Sequence, residues 1–358
     1  MRRRQRYTLQ GFGWGAGLTA LADIGLQWLE HKQRDEAFTW KSYDGKRTMI
    51  NATCGGTVGG GIGEILYQLE RDREYKRPFY SDEYLRKVLM SKRLSSDKGL
   101  VKKIERYRAK LKEWLLSEFS EHLAAPPEDS GSYYKRTALA SNFDLDIIVP
   151  FKRTAHSTLK EMFNDMYESI ARKFGRKAEV IKQTRAVGLC FTDGPDEICI
   201  DIVPGREINN YKKDKLLNLY VRPEFFWQQG SSFKTDIKAQ QFIPVRIPHV
   251  RPVIMLLKLY RDIYCSDLLT IHIDIAATEA INRNGYGINR SLTENLLNAM
   301  DLLAQKLNQE AVWDKANSNN NLNDRISMST RSEISGLLQR DIERIVDDPR
   351  YLKEIFEL

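Results

Sequence analysis

Two acids one residue apart, at the head of an apolar run, constrain this chain more than any other feature. In GSYYKRTALASNFDLDIIVPF, residues 131–151, a Gly131-Ser132 turn leads through a basic, hydroxyl-bearing segment (Lys135, Arg136, Thr137) to Asp144-Leu145-Asp146 and a run of apolar residues. Successive side chains of a strand point to opposite faces. Asp144 and Asp146 therefore share one face, while Leu145, Ile147 and Val149 pack on the other. Neighbouring carboxylates repel unless a cation sits between them. Hard divalent ions take oxygen ligands, commonly one or two carboxylates plus substrate phosphates. A bare D-x-D is equally the start of a strand with two solvated acids, but the Gly-Ser turn upstream of Asp144 favours the cation.

A second strand carries a matching acid. In EICIDIVPG, residues 197–205, Ile198, Ile200 and Ile202 fall on one face and Cys199, Asp201 and Val203 on the other. An acid among β-formers is costly to bury alone, so Asp201 is expected to share whatever Asp144 and Asp146 hold. Transfer of phosphoryl or nucleotidyl groups asks little covalent chemistry of a protein. It asks for metal ions that clamp the attacking and leaving oxygens, held by carboxylates from more than one strand. Ser132, in a turn with free backbone N–H groups, suits the phosphates, because such concave turns bind anions.

Around these motifs the pattern alternates helix and strand. Leu100, Ile104, Leu111, Leu115 and Phe119 recur near the helical period and predict a helix over 99–120, closed by Ala124-Ala125-Pro126-Pro127. A second amphipathic helix is predicted over 156–174. Strands are predicted at 178–181 and 185–191, before the turn Asp193-Gly194-Pro195. Residues 205–250 read as loop-rich and aromatic (Tyr211, Tyr220, Phe225, Phe226, Trp227, Phe233). Helices follow at 251–260, 267–283 and 291–309, then a polar run over 313–325 and a helical tail from about 330. Residues 1–66 hold twelve of the 22 glycines, yet contain neither a phosphate loop nor a dinucleotide fingerprint.

Composition narrows the class. The chain has 358 residues, 42% hydrophobic and 29% charged, and no apolar run of the roughly 18 residues that a bilayer span needs. Its net charge of +8 suits a phosphate-bearing partner. Four cysteines (Cys54, Cys190, Cys199, Cys265) lack C-x-x-C spacing. That predicts neither a zinc site nor a disulfide framework, and fits a reducing cytoplasm. The five histidines are isolated in sequence, which disfavours a histidine metal centre or triad.

The motifs GSYYKRTAL, SNFDLDIIV and ICIDIVP, with RPVIMLLKLYRD and WDKANSNNN, resemble the polymerase-beta-like nucleotidyltransferases. More narrowly, they resemble the cGAS/DncV-like nucleotidyltransferases of bacterial antiphage signalling, relatives of the 2′,5′-oligoadenylate synthetases. The resemblance covers about residues 99 to 325. It implies an α+β fold: a mixed-sheet catalytic domain over 96–210, a helical second domain over 211–330 and a helical tail over 331–358, preceded by a Gly-rich extension over 1–95. It implies two Mg²⁺ (or Mn²⁺) ions on Asp144, Asp146 and Asp201 as the catalytic centre, and nucleotide binding by Gly131, Ser132 and Lys258. The implied product is a cyclic or linear oligonucleotide made without template from NTPs or dNTPs. The implied setting is cytoplasmic, as a homo-oligomer, with an effector protein reached through the product or through 1–95. Two features depart from the pattern: the long extension, and Asn142-Phe143 where many relatives carry an Asp-containing dipeptide. Lys258, among Leu256, Leu257 and Leu259, is also read as a lysine packed along its helix. Two alternatives stay open: oligonucleotide synthesis primed on the chain's own Tyr351, and a non-catalytic regulator that acts on a membrane effector through 1–95.

Overall fold

The computed structural model describes residues 79–141, 143, 145–223, 229–239, 247, 249–283 and 291–358. The Gly-rich segment up to residue 78, Cys54, Asp144, the aromatics Phe225 to Trp227 and Arg246 lie outside the described residues. The elements from Tyr80 to Leu358 belong to one unit, separate from Met1–Phe79.

Helix α1 (Ser81–Lys92) is followed by α2 (Lys98–Glu118). Asp97 caps α2 by accepting the Leu100 N–H at 2.9 Å, and Leu100, Ile104, Leu111 and Leu115 form its buried stripe. The helix stops short of Pro126-Pro127, as expected of residues that cannot continue it. Strand β1 (Glu128–Ser130), the one-turn helix α3 (Gly131–Lys135) and β2 (Leu145–Phe151) come next. Helix α4 (Leu159–Phe174) begins at a capping box in which Thr158 and Glu161 satisfy each other's backbone N–H. Strands β3 (Glu179–Lys182), β4 (Val187–Asp193) and β5 (Asp196–Glu207) follow, then the short helix α5 (Tyr211–Asp214), β6 (Leu216–Val221) and β7 (Ser231–Asp236).

The central sheet runs β1-β2-β5-β4-β3, with β6 on the far part of β5 and β7 on β6. Among the described residues only β2 and β5 pair in parallel, joined by the crossover through α4 and the β3–β4 hairpin. Their register sets Asp146 beside Asp201 and Ile147 beside Ile202. One face of the sheet packs Leu145, Ile147, Val149, Ile198, Ile200 and Ile202 against Ile104, Leu111 and Leu115 of α2 and Met162, Phe163, Met166 and Ile170 of α4. Each fully buried aliphatic side chain is worth about 1.5–3 kcal/mol, so this layer fixes the strand register. The opposite face carries Ile148 and Val203 in a smaller cluster with Tyr211, Leu217, Leu219 and Ile237. The two acids sit on that side, with the alternation read from the sequence.

The segment 205–250, expected to be loop-rich, instead supplies β6 and β7, which carry the sheet beyond residue 210. The alternation Leu217, Leu219 with their polar neighbours is short and was masked by the aromatics around it. The rest is helical: α6 (Val250–Tyr264), α7 (Thr270–Arg283), α8 (Leu292–Leu307) and α9 (Met328–Asp347), then the short α10 (Leu352–Ile355). A two-stranded ribbon, β8 (Trp313–Asp314) and β9 (Asn317–Asn321), forms within the polar run. Among the described residues no helix is long and apolar enough to cross a membrane.

One expectation is corrected. Cys190 and Cys199 stand opposite each other in the β4–β5 register, with Cα atoms 4.1 Å apart, and are disulfide-bonded. Sequence spacing hid this pair because the hairpin turn, not a C-x-x-C motif, brings them together. Cys265 is buried and free.

Candidate active site

Gly131 and Asp146 define the centre of the site. Strand β1 runs antiparallel to β2 with Ser130 opposite Asp146, so the chain turns into α3 directly over the Asp146 carboxylate. Gly131 makes that turn at φ +62°, and a Cβ built there falls inside the carboxylate of Asp146. Only glycine allows this approach. The first N–H groups of a helix lack intrahelical partners, so the start of α3 brings backbone donors beside the acid pair. Helix α3 closes on Arg136 in the left-handed conformation, with the Thr137 N–H donating to the Ser132 carbonyl at 2.9 Å.

Asp146 and Asp201 are both half-buried, side by side on adjacent strands. Gln183, in the β3–β4 hairpin, donates from Nε2 to Asp201 Oδ1 at 2.8 Å, leaving the second carboxylate oxygen of Asp201 outside that contact. Asp144, the expected third acid, lies outside the described residues.

Asp201 stands beside Asp146 on the neighbouring strand, and Asp146 lines a cavity of about 360 Å³. At one end it is lined by Ser130, Gly131, Lys135 and Asp146; at the other by Arg185, Phe233, Asp314 and Ala316. Helix α7 closes a side with Thr270, Ile271, Asp274, Ile275 and Thr278. Lys135 pairs with Asp274 at 2.5 Å, which links α3 to α7 across the cavity. The Arg185 guanidinium lies 4.0 Å over the Phe233 ring, and its buried Nε has no hydrogen-bond partner among the described residues. Burial, and then the nearby Arg325, push the Arg185 pKa down, opposed by Asp314. Asp314 is itself buried and accepts from the Ala316 N–H and the Asn320 side-chain amide. The Asp- and Asn-rich run is thus a ribbon at the edge of the cavity.

Lys258 is not in the lining. It is 8% exposed and donates to the Thr137 carbonyl at 3.3 Å and to Thr137 Oγ1 at 3.4 Å. Burial brings its pKa down to about 8, with Asp274 opposing and Lys135 assisting. It sits behind the site and ties the end of α3 to α6. Tyr351 is also remote from the lining: its hydroxyl donates to Asp341 at 3.1 Å and accepts from Arg344 at 2.8 Å. Sequence reasoning missed Lys135 and Arg185 as cavity residues. Lys135, four residues into the Gly-Ser segment, carried the clearer signal.

No family model matches the chain, and no curated protein matches it. Solved structures do. The E. coli MS115-1 CdnC structure with ATP aligns at TM-score 0.61 and 17% identity, over 77% of this chain and 98% of that one. The Bradyrhizobium diazoefficiens CD-NTase CdnG in complex with GTP aligns at TM-score 0.62 and 17% identity, over 79% and 96%. The E. coli MS115-1 CdnC:HORMA-deltaN complex aligns at 0.57 and 16%, over 77% and 96%. At such identities the likeness is one of fold: this chain has the fold of the cGAS/DncV-like nucleotidyltransferases, the CD-NTases.

Proposed function

We propose that this chain is a template-independent nucleotidyltransferase that joins NTPs or dNTPs into a cyclic or linear oligonucleotide signal in antiphage defence. The observation that carries this reading is the in-register pair Asp146 and Asp201, with Asp146 beneath the Gly131 turn and lining a cavity of about 360 Å³. The ATP and GTP in the CdnC and CdnG structures belong to those proteins; they make nucleoside triphosphates the first substrates to try here.

Two carboxylates set side by side on neighbouring strands repel, and a hard cation relieves the repulsion. An all-oxygen donor set is what Mg²⁺ or Mn²⁺ takes, so Asp146 and Asp201, with Asp144, fit such ions. Bound ions would neutralise charge growing on the transferred phosphate. The remaining work falls to the chain itself. Backbone donors around Gly131 and Ser132 hold the triphosphate in place. Lys135, held by Asp274 from α7, adds positive charge at the same end of the cavity. Phe233, with Arg185 stacked on it, offers a platform for a base, and such stacking is worth about 1–3 kcal/mol per base. A hydroxyl oxygen then gives up its proton to solvent and forms a bond to the α-phosphorus, while the bond from the α-phosphorus to the oxygen shared with the β-phosphate breaks and pyrophosphate leaves.

Asp144→Asn combined with Asp146→Asn is expected to abolish Mg²⁺-dependent pyrophosphate release from a nucleotide mixture. Full activity in that double variant would sink the assignment. Running the wild-type reaction with each labelled NTP and dNTP in turn identifies substrate and product. The effector would be reached through the product or through residues 1–95, and pull-downs with and without that segment separate the two routes.

A further inference from the structure

The face of β4–β5 that carries Asp201 also carries Cys190 and Cys199. The register pairs Gly188 with Asp201 and, next along the same face, Cys190 with Cys199. Glu197 precedes Cys199 by two residues, so it shares that face, and it is exposed while both cysteines are half-buried. The Glu197 carboxylate and the two sulfurs all lie within 4.8 Å of one another. Among the described residues this is the one such group of three metal-ligating side chains. Phe191 and Ile198, packed in the main core beneath, hold the two strands that present it.

We propose that the reduced chain binds one thiolate-preferring divalent cation, Zn²⁺ in a cell, through Cys190 Sγ, Cys199 Sγ and the Glu197 carboxylate, with water as the fourth ligand, and that cystine formation closes the site. Zn–S bonds of about 2.3 Å in a tetrahedron set two sulfurs about 3.8 Å apart. A cystine keeps its Cβ atoms about 3.5–4.5 Å apart, so with Cα atoms 4.1 Å apart rotation of the two side chains brings the sulfurs to that spacing once the bond is open. Two thiolates select a softer ion than the all-oxygen centre at Asp146 and Asp201, so the two sites take different metals. Opening the cystine takes two electrons and two protons from a dithiol, which becomes a disulfide. The two thiols then lose their protons as the metal binds. A reducing compartment keeps the site open; an oxidising one closes it.

Cobalt(II) is the probe, because thiolate ligands give it a near-ultraviolet charge-transfer band that oxygen ligands do not. The full-length chain, reduced with a phosphine that adds no thiol, is expected to develop the band and saturate at one equivalent. Zn²⁺ should abolish it. Neither the oxidised chain nor Cys199→Ser should show it, and Glu197→Gln should shift the midpoint to higher cobalt. A reduced wild-type chain without the band would overturn the site, as would a band that persists in Cys199→Ser or a midpoint unmoved in Glu197→Gln. The readout is optical and independent of nucleotidyl transfer, so it stands or falls apart from the activity proposed above.

Discussion

Gly131 leaves the site no latitude at a single residue. Its φ of +62° is one that a residue with a side chain adopts at a cost of about 1–2 kcal/mol, and the missing Cβ is where the Asp146 carboxylate sits. Gly131→Ala is expected to lower the thermal midpoint modestly and to reduce pyrophosphate release far more, because the turn and the acid must separate. A differential melt and the release assay, run on the same sample, distinguish the two effects. Lys258 tells a different story at the same scale. Burial lowers its pKa to about 8, against about 10.4 in an unfolded chain. Below pH 8 the buried charge costs its full amount; as pH rises from 8 toward 10.4 the folded form sheds the proton first and the cost fades. The gap corresponds to about 3 kcal/mol over the whole window. Relative to wild type, Lys258→Met should therefore lose stability as pH climbs from 7 to 10, as read by urea unfolding at both values. A difference that does not change with pH would mean that the folded lysine titrates where the unfolded one does and carries no burial cost.

At the scale of elements, α1 earns its place by capping. Asp82 accepts the Leu292 N–H at 2.8 Å and the Thr293 N–H at 2.9 Å, so one helix satisfies the open donors at the start of another. Burial pushes the Asp82 pKa up, but the bonds from Thr293 and Leu292 outweigh it and hold the carboxyl below its ordinary value. Asp82→Ala should cost about 1 kcal/mol at neutral pH. Because the folded pKa is depressed, that gap should close as pH falls below about 4; denaturation at pH 7 and pH 3 tests both statements. Local pattern made α2, α4 and the acid-bearing faces of β2 and β5 readable in advance, since period and cap are properties of neighbours in sequence. The contact of α1 with residues 292–293 could not be seen in the sequence. The cystine depends on the register of a single hairpin, whereas the pairing of Lys135 with Asp274 and the burial of Lys258 beside Thr137 depend on contacts between distant segments, which no local spacing encodes. For the same reason β6 and β7 were read as loop: their edge pairing, and not their composition, makes them strands.

Across the whole molecule, the cavity draws its walls from widely separated parts of the chain: the β1–α3 turn, β2, the β3–β4 hairpin, β5, β6–β7, α7 and the β8–β9 ribbon. Asp146 in its lining and Asp201 next to it are brought together by a parallel pairing, in which β5 inserts between β2 and β4. Parallel pairing requires a long crossover and closes late relative to hairpins and helices. A chain still emerging from the ribosome can already own Gly131, Asp144 and Asp146, its spine helix and even the β3–β4 hairpin, and still have no second acid to face the first. Competence thus arrives in a single step, when the last central strand slots in. On the activity proposed above, a nascent or clipped chain that lacks β5 is expected to release no pyrophosphate from nucleotides.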